Sequence, residues 1–72
     1  MSEAFVVDAR GLSCPQPVIE TRKTLEMHSG GPVEVLVDTV TSRENVARYG
    51  ESHGWKAVKE ETDDGFKVTF TR

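Results

Sequence analysis

The sequence predicts a small α+β domain, a two-layer α/β sandwich in which two helices cover one face of a four-stranded mixed sheet. Segments rich in strand-forming residues alternate with two segments of helical periodicity, in the order βαβαββ. The 72 residues suffice for one domain, and two helices are too few to cover both faces of a sheet. A right-handed crossover through the first helix is expected to make the first two strands parallel.

A strand and a helix are predicted in the first part of the chain. Residues 3–8 are rich in strand formers and predict a strand that ends at Asp8. Residues 15–28 predict a helix, which the Gly-Gly-Pro sequence at 30–32 ends. The predicted buried face of this helix consists of Val18, Thr21, Leu25 and His28.

The middle of the chain repeats this order. Residues 33–38 carry valine at every second position and predict the clearest strand. A second helix is predicted to begin at Thr41, because Thr41 and Glu44 fit the S/T-x-x-E capping box. Gly50 on its inner face indicates a close approach of the helix to the sheet. That inner face is predicted to consist of Val46, Tyr49, Gly50 and His53.

The last part of the chain predicts a β-hairpin. Gly54 is expected to end the second helix in the left-handed conformation. Residues 55–61 and 65–71 then predict two strands, and the Asp-Asp-Gly sequence at 63–65 is a hairpin turn signal.

Composition excludes several classes of function. The net charge is −3 without a basic cluster, which argues against non-specific nucleic-acid binding. Apolar stretches are too short to span a bilayer, and no signal-peptide pattern is present, so no membrane association is expected. The single cysteine forms neither an internal disulfide nor a C-x-x-C motif, and His28 and His53 are isolated. We therefore expect a cytoplasmic protein without a cofactor or metal site.

The single cysteine, Cys14, occupies an unusual position. It is predicted to be the N-cap of the first helix, with Pro15 at the first helical position and Pro17 at the third, where proline is tolerated. The N–H groups of Gln16 and Val18 would then face the sulfur, and the positive end of the helix would favour its anion. We interpret Cys14 as an exposed, partly ionised nucleophile.

A second interpretation of Cys14 stays open. A lone cysteine in a small domain is more often a buried and unreactive residue. Such residues lie mostly on strands or in mid-helix, whereas Cys14 lies in a turn between a glycine-containing loop and two prolines.

Residues 8–17 fit the motif D-x-x-G-L-x-C-P-x-P, which resembles the TusA/SirA-like sulfur-carrier family. The resemblance extends over essentially the whole chain, because that family has the βαβαββ order and a two-layer sandwich. Residues 44–48 and 51–54 are similar to the YedF subgroup, which is associated with selenium metabolism and often carries a second, C-terminal domain. We expect residues 1–72 to form a single TusA-like domain.

This resemblance implies a reaction for Cys14. In the family, the matching cysteine accepts sulfane sulfur from a donor such as a cysteine desulfurase and holds it as a persulfide. It then passes the sulfur to an acceptor protein, for example in tRNA thiolation or cofactor assembly. The resemblance thus implies a sulfurtransferase-type carrier rather than a self-contained enzyme. The motif residues expected to support Cys14 are Asp8, Arg10, Gly11, Pro15, Gln16, Pro17 and Val18.

The charged residues near Cys14 allow two interpretations. Arg10 either holds the anionic sulfur or contacts a partner, or else Asp8 fastens the loop and Arg10 is a solvated charge, which we favour. Arg22 and Lys23 either dock an acidic partner or form an ordinary charged helix face, again the favoured alternative.

Other residues and functions carry less weight. His28 and His53 are predicted near helix C-termini, at the wrong end to act as a general base for Cys14. A non-catalytic interaction module, in which Cys14 is incidental, remains the alternative function. RNA binding is disfavoured by the acidic charge balance, and the aromatic residues are predicted to lie in the core or on a sheet face rather than to stack on bases. These aromatics are Trp55, Phe66 and Phe70.

Overall fold

The chain folds in the predicted element order. The computed structural model describes residues 5–12, 16–27 and 32–72. The elements are β1 (Phe5–Asp8), α1 (Gln16–Met27), β2 (Val33–Val37), α2 (Val40–Ser52), β3 (Lys56–Thr62) and β4 (Gly65–Thr71). The βαβαββ order and the α+β class are therefore confirmed. Neither described helix combines the length and the apolar character that crossing a lipid bilayer requires.

The four strands form one mixed sheet with the order β1-β2-β4-β3. β1 lies parallel to β2, as predicted, whereas β2 and β3 both run antiparallel to β4. In the central register Val35 pairs with Val7 on one side and with Val68 on the other. The sheet order places the turn between β3 and β4 beside the end of β2, because Val37 pairs with Phe66.

The alternation of side chains along β2 determines where the core forms. Val33, Val35 and Val37 are fully buried, whereas Glu34 and Leu36 on the opposite face are only partly buried. Successive residues of a strand point to opposite faces, so the three valines face the helices. The core consists of Ala9, Leu25, Val33, Val35, Val37, Val46, Ala47, Trp55, Val68 and Phe70.

The predicted close approach at Gly50 is confirmed. A Cβ atom at this position would overlap the ring of Phe70, which is itself fully buried. Trp55 packs edge-on against the same ring, with centroids 6.5 Å apart and an interplanar angle of 78°. Gly54 has φ of +87°, in agreement with the predicted left-handed end of the helix.

Helix α1 buries a narrow and partly polar face. Its buried residues are Pro17, Thr21, Thr24 and Leu25. The hydroxyl of Thr21 donates to the Pro17 carbonyl at 2.8 Å, and that of Thr24 donates to the Glu20 carbonyl at 2.9 Å. Burying a hydroxyl is tolerated when it is hydrogen-bonded. The predicted inner position of His28 lies outside the described residues.

The predicted start of α2 was wrong, because the helix begins earlier in the sequence than Thr41. The helix begins at Val40, and its N-cap is Thr39 rather than Thr41. Thr39 has an extended backbone, with φ of −133° and ψ of 154°, and its side chain accepts a hydrogen bond from the Ser42 N–H at 3.1 Å. The sequence contains two threonines two residues apart, and the first of them caps the helix.

Glu44 does not close a capping box, because the third helical position after the Thr39 cap is Ser42, and its carboxylate binds two cations instead. The Arg43 Nε donates to it at 2.9 Å, and the Lys59 ammonium from β3 approaches at 3.3 Å. Hydrogen bonds from Arg43 and then Lys59 lower the pKa of Glu44 below its ordinary value.

The predicted burial of His53 was also wrong. His53 is the C-cap of α2 and is exposed. Its Nδ1 lies 2.9 Å from the Tyr49 carbonyl oxygen, and its ring stacks on that of Tyr49 at 4.2 Å between centroids. Helix α2 ends at Ser52, so His53 lies beyond the helix and does not face the core.

Candidate functional site

The chain segment that leads to Cys14 lies at one end of the sandwich. The carboxyl ends of β1 and β2, the amino-terminal ends of both helices and the β3–β4 turn all meet at this end. Cys14 follows Gly11 by three residues and precedes Gln16 by two. Cys14 and Pro15 themselves lie outside the described residues, so their assignment to the N-cap and first helical position stays a prediction.

Asp8 and Arg10 form a closed pair at the start of the loop after β1. Asp8 Oδ1 accepts the Arg10 backbone N–H at 3.2 Å and the Arg10 Nε–H at 2.9 Å. Asp8 Oδ2 accepts from Arg10 Nη2, also at 2.9 Å. Hydrogen bonds from the Arg10 side chain, and then from its backbone, lower the pKa of Asp8 to about 2. Asp8 therefore fastens this loop, in agreement with the favoured interpretation.

Arg10 has a second carboxylate partner that the sequence did not reveal. Its Nη1 donates to Asp64 Oδ2, in the β3–β4 turn, at 2.6 Å. Hydrogen bonding to Asp8 and the charges of both carboxylates raise the pKa of Arg10 above its ordinary value. Arg10 is thus exposed, as the favoured interpretation expects, but it also binds two carboxylates. A role for Arg10 toward the sulfur or a partner stays a prediction.

Gly11 and Ala9 attach the loop to the end of β2. The Gly11 N–H donates to Asp38 Oδ2 at 2.8 Å, and the Ala9 N–H donates to the Leu36 carbonyl at 2.8 Å. Gly11 has φ of +80°, a conformation that glycine adopts without steric cost. Asp38, predicted as the last residue of the second strand, lies just beyond β2 and provides this acceptor.

The far side of the loop is the first turn of α1. Gln16 is exposed, Pro17 is buried and Val18 is partly buried. Proline is tolerated in a first turn because its missing N–H would have no partner within the helix. Leu12, the last described residue before Cys14, is exposed at 37 %. An anchored loop and a helix start therefore flank the only cysteine of the chain.

Comparison with known proteins identifies the family. Residues 5–72 match the family model described as sulfurtransferase TusA. The chain belongs to this family. Its predicted resemblance to TusA/SirA-like proteins is confirmed, whereas its place in the YedF subgroup stays a prediction.

Similar proteins of this kind occur in archaea and bacteria. The chain is 35 % identical over 68 residues to a candidate sulfur carrier of Methanocaldococcus jannaschii, covering 92 % of this chain and 91 % of that protein. It is 34 % identical over 71 residues to a candidate sulfur carrier of Bacillus subtilis, covering 97 % and 93 %. The crystal structure of a SirA-like protein from Desulfitobacterium hafniense superposes with a TM-score of 0.85 at 39 % identity, covering 92 % and 93 %.

The remaining predicted residues of this TusA-family chain do not join the site. Arg22 and Lys23 are exposed on α1, and Lys23 Nζ lies 4.0 Å from a Glu20 carboxylate oxygen. A role for either residue in partner binding stays a prediction. His53 lies at the carboxyl end of α2. It is thus away from residues 9–15, the segment between β1 and α1 that we call the Cys14 loop. The aromatic residues Trp55, Phe66 and Phe70 pack in or against the core, as predicted.

Two anchoring residues, Asp38 and Asp64, were missed by sequence reasoning. Asp38 was assigned to a strand and Asp64 to a turn, although each carboxylate holds a residue of the Cys14 loop. Asp38 could have been found, because the carboxyl ends of two parallel strands share one edge of a sheet. Asp64 required the order of the strands, since it is 54 residues from Arg10.

Proposed function

We propose that this protein is a sulfur carrier that holds sulfane sulfur as a persulfide on Cys14. The observation that carries the proposal is the anchored segment before Cys14 in a chain of the TusA family. Asp8 and Gly11 match the family motif and Arg10 lies between them, and each of the three takes part in a hydrogen bond that fixes the approach to the cysteine. The similarity to candidate sulfur carriers supports the same role.

One thiolate suffices for the proposed reaction. The Cys14 thiolate attacks the outer sulfur of a donor persulfide, the donor S–S bond breaks, and the donor cysteine leaves as a thiolate that takes up a proton. In the second step an acceptor thiolate attacks the outer sulfur on Cys14, and Cys14 returns to its thiolate form. No oxidant or reductant is consumed, because a sulfur atom moves between thiolates without a net change in oxidation state.

The start of α1 supports this chemistry electrostatically. Backbone N–H groups in the first turn of a helix have no partners within the helix, and the helix dipole favours negative charge there. Cys14 lies two residues before Gln16, the first residue of this turn. We expect the pKa of Cys14 to lie below that of a free cysteine, and a persulfide anion to be stabilised in the same way.

A carrier of this kind requires two partner proteins, a sulfur donor and a sulfur acceptor. We propose a cysteine desulfurase as donor, and an acceptor that acts in tRNA thiolation or cofactor assembly. Selenium is the alternative cargo suggested by the resemblance to the YedF subgroup. The lack of a second cysteine in the chain is compatible with the reducing cytoplasm, where we place the reaction.

A labelling experiment tests the proposal. The protein is incubated with a cysteine desulfurase and sulfur-labelled cysteine, then separated and treated with a reductant. We expect the wild type to bind one reductant-labile labelled sulfur atom and Cys14→Ser to bind none. Absence of label on the wild type, or equal label on both proteins, would instead favour an interaction module in which Cys14 is incidental.

A further inference from the structure

The β3–β4 turn lies next to the Cys14 loop and packs closely on its neighbours. A Cβ atom on Gly65 would overlap the Val37 carbonyl oxygen, so the turn packs directly on the end of β2. The next residue, Phe66, has the Arg43 guanidinium 4.7 Å above its ring centroid, which ties the hairpin to the first turn of α2. The turn therefore connects to both the sheet and a helix.

The side chain of Asp64 extends from this turn to the Cys14 loop. Its Oδ2 accepts from Arg10 Nη1, while the other donor groups of Arg10 bind Asp8. One guanidinium thus joins the end of β1 to a turn that is distant in sequence. The side chains of Arg10, Asp8 and Asp64 are 37 %, 57 % and 65 % exposed. Exposed ion pairs add little to folding stability, so the main effect of this bridge is local order in the loop.

We propose that Asp64 is a positioning residue for sulfur loading, which holds the Cys14 loop in place through Arg10. The inference rests on the proposed function, because it assigns Asp64 a role in the same reaction. Asp64 does not touch the sulfur in this scheme. It fixes the guanidinium, the guanidinium fixes the backbone N–H of Arg10 against Asp8, and the chain then enters the turn before Cys14.

If Asp64 acted only through its charge, its removal would speed sulfur loading rather than slow it. A carboxylate near a thiol disfavours the thiolate, so removing its charge should lower the pKa of Cys14 and speed its reactions. If Arg10 were instead the group that stabilises the anionic sulfur, its release from Asp64 would also speed loading. Positioning by Asp64 requires that its removal slows loading, so the sign of the change distinguishes these explanations.

Four variants test the inference in the labelling assay. These are Asp64→Ala, Asp63→Ala, Arg10→Ala and the Arg10→Ala/Asp64→Ala double variant. Asp63 is the matched control, because it lies in the same turn, carries the same charge and its carboxylate has no hydrogen bond or ion pair to the described residues. The Arg10→Ala background is needed because Asp64 also accepts from the Thr62 hydroxyl at 3.4 Å, within its own hairpin.

We expect Asp64→Ala to lower the initial rate of sulfur uptake about two- to fivefold, a change typical of losing one exposed ion pair. Asp63→Ala should not lower it. Adding Asp64→Ala to Arg10→Ala should have no further effect, since Asp64 acts through Arg10. An Asp64→Ala rate equal to or above wild type, or the same loss in both backgrounds, would overturn the inference.

The pH profile of Cys14 alkylation by iodoacetamide gives a second readout. Loss of charge alone should lower the midpoint equally in Asp63→Ala and Asp64→Ala. Loss of positioning should give Asp64→Ala a higher midpoint than Asp63→Ala, because the thiolate is held less well at the helix start. Equal midpoints would count against the inference. This readout does not depend on sulfur uptake, so it tests positioning even if the wild type accepts no sulfur and the proposed function fails.

Discussion

Replacing Gly50 by alanine tests the packing of α2 on the sheet. Gly50 lies in the last part of α2, where a Cβ atom would overlap Phe70 Cε1 and approach Cδ1 to 2.6 Å and Cζ to 3.0 Å. The Phe70 ring has no exposed surface, and Trp55 packs edge-on against it. The ring therefore has little freedom to move away from the new methyl group.

Two opposing effects determine the size of the change. Overpacking a filled core costs about 1–3 kcal/mol, and contact with several ring carbons places Gly50→Ala near the upper limit. Alanine gains about 1 kcal/mol over glycine within a helix. The expected net loss is about 2 kcal/mol in free energy of unfolding, which lowers the melting temperature by roughly 8–16 °C for a domain of this size. That is a large part of the stability of a small domain.

Urea unfolding followed by fluorescence is the appropriate assay, because Trp55 is the only tryptophan and lies against Phe70. Phe70→Leu is the matched background, since it removes the ring that the new methyl group would contact. Gly50→Ala should lose about 2 kcal/mol in the wild type and less than about 0.5 kcal/mol in Phe70→Leu. Equal losses in both backgrounds, or a Gly50→Ala protein as stable as wild type, would refute the packing argument.

Three further predictions concern the site end of the molecule. Gly11→Ala should lower the free energy of unfolding by about 1 kcal/mol in a urea titration, because its φ of +80° is unfavourable for alanine although space for a Cβ exists. Thr39→Ala should lose about 1 kcal/mol by the same assay and Thr41→Ala much less, since Thr39 is the cap. A larger loss in Thr41→Ala would instead indicate that the predicted capping box forms. The lowered pKa of Asp8 stabilises the fold above its ordinary value of 3.8, and this contribution is lost as the pH falls through about 2. In acid titrations followed by circular dichroism, the stability difference between wild type and Asp8→Asn should therefore shrink below about pH 4, and a constant difference would contradict the Arg10 pairing.

Local sequence patterns predicted most of the fold because the relevant interactions are local. The alternating valines of 33–37 predicted a half-covered strand, and the Asp-Asp-Gly turn predicted the hairpin. Gly50 predicted a close approach, although only the structure identified Phe70 as its neighbour. In each case the residue type is constrained by backbone geometry or burial at that position.

The structure differed from the sequence predictions where a side chain binds residues that are distant in the sequence. The capping-box pattern at Thr41 fitted the sequence, but Thr39 caps the helix, and Glu44 pairs with Arg43 and with Lys59 on another strand. Arg10 had no sequence-local partner besides Asp8, so its bridge to Asp64 followed only from the sheet order. The motif identified the cysteine and its approach, but the residues that anchor the approach come from the rest of the fold.

Mass analysis of one peptide tests the central claim most directly. Trypsin is expected to release residues 11–22, which contain Cys14, after the protein has been loaded by a desulfurase with labelled cysteine and capped with iodoacetamide. A sulfur carrier should give this peptide in a form that is heavier than the alkylated thiol by one labelled sulfur atom. A peptide that carries only the alkylated thiol, after loading under conditions in which the donor persulfide has formed, would contradict the claim.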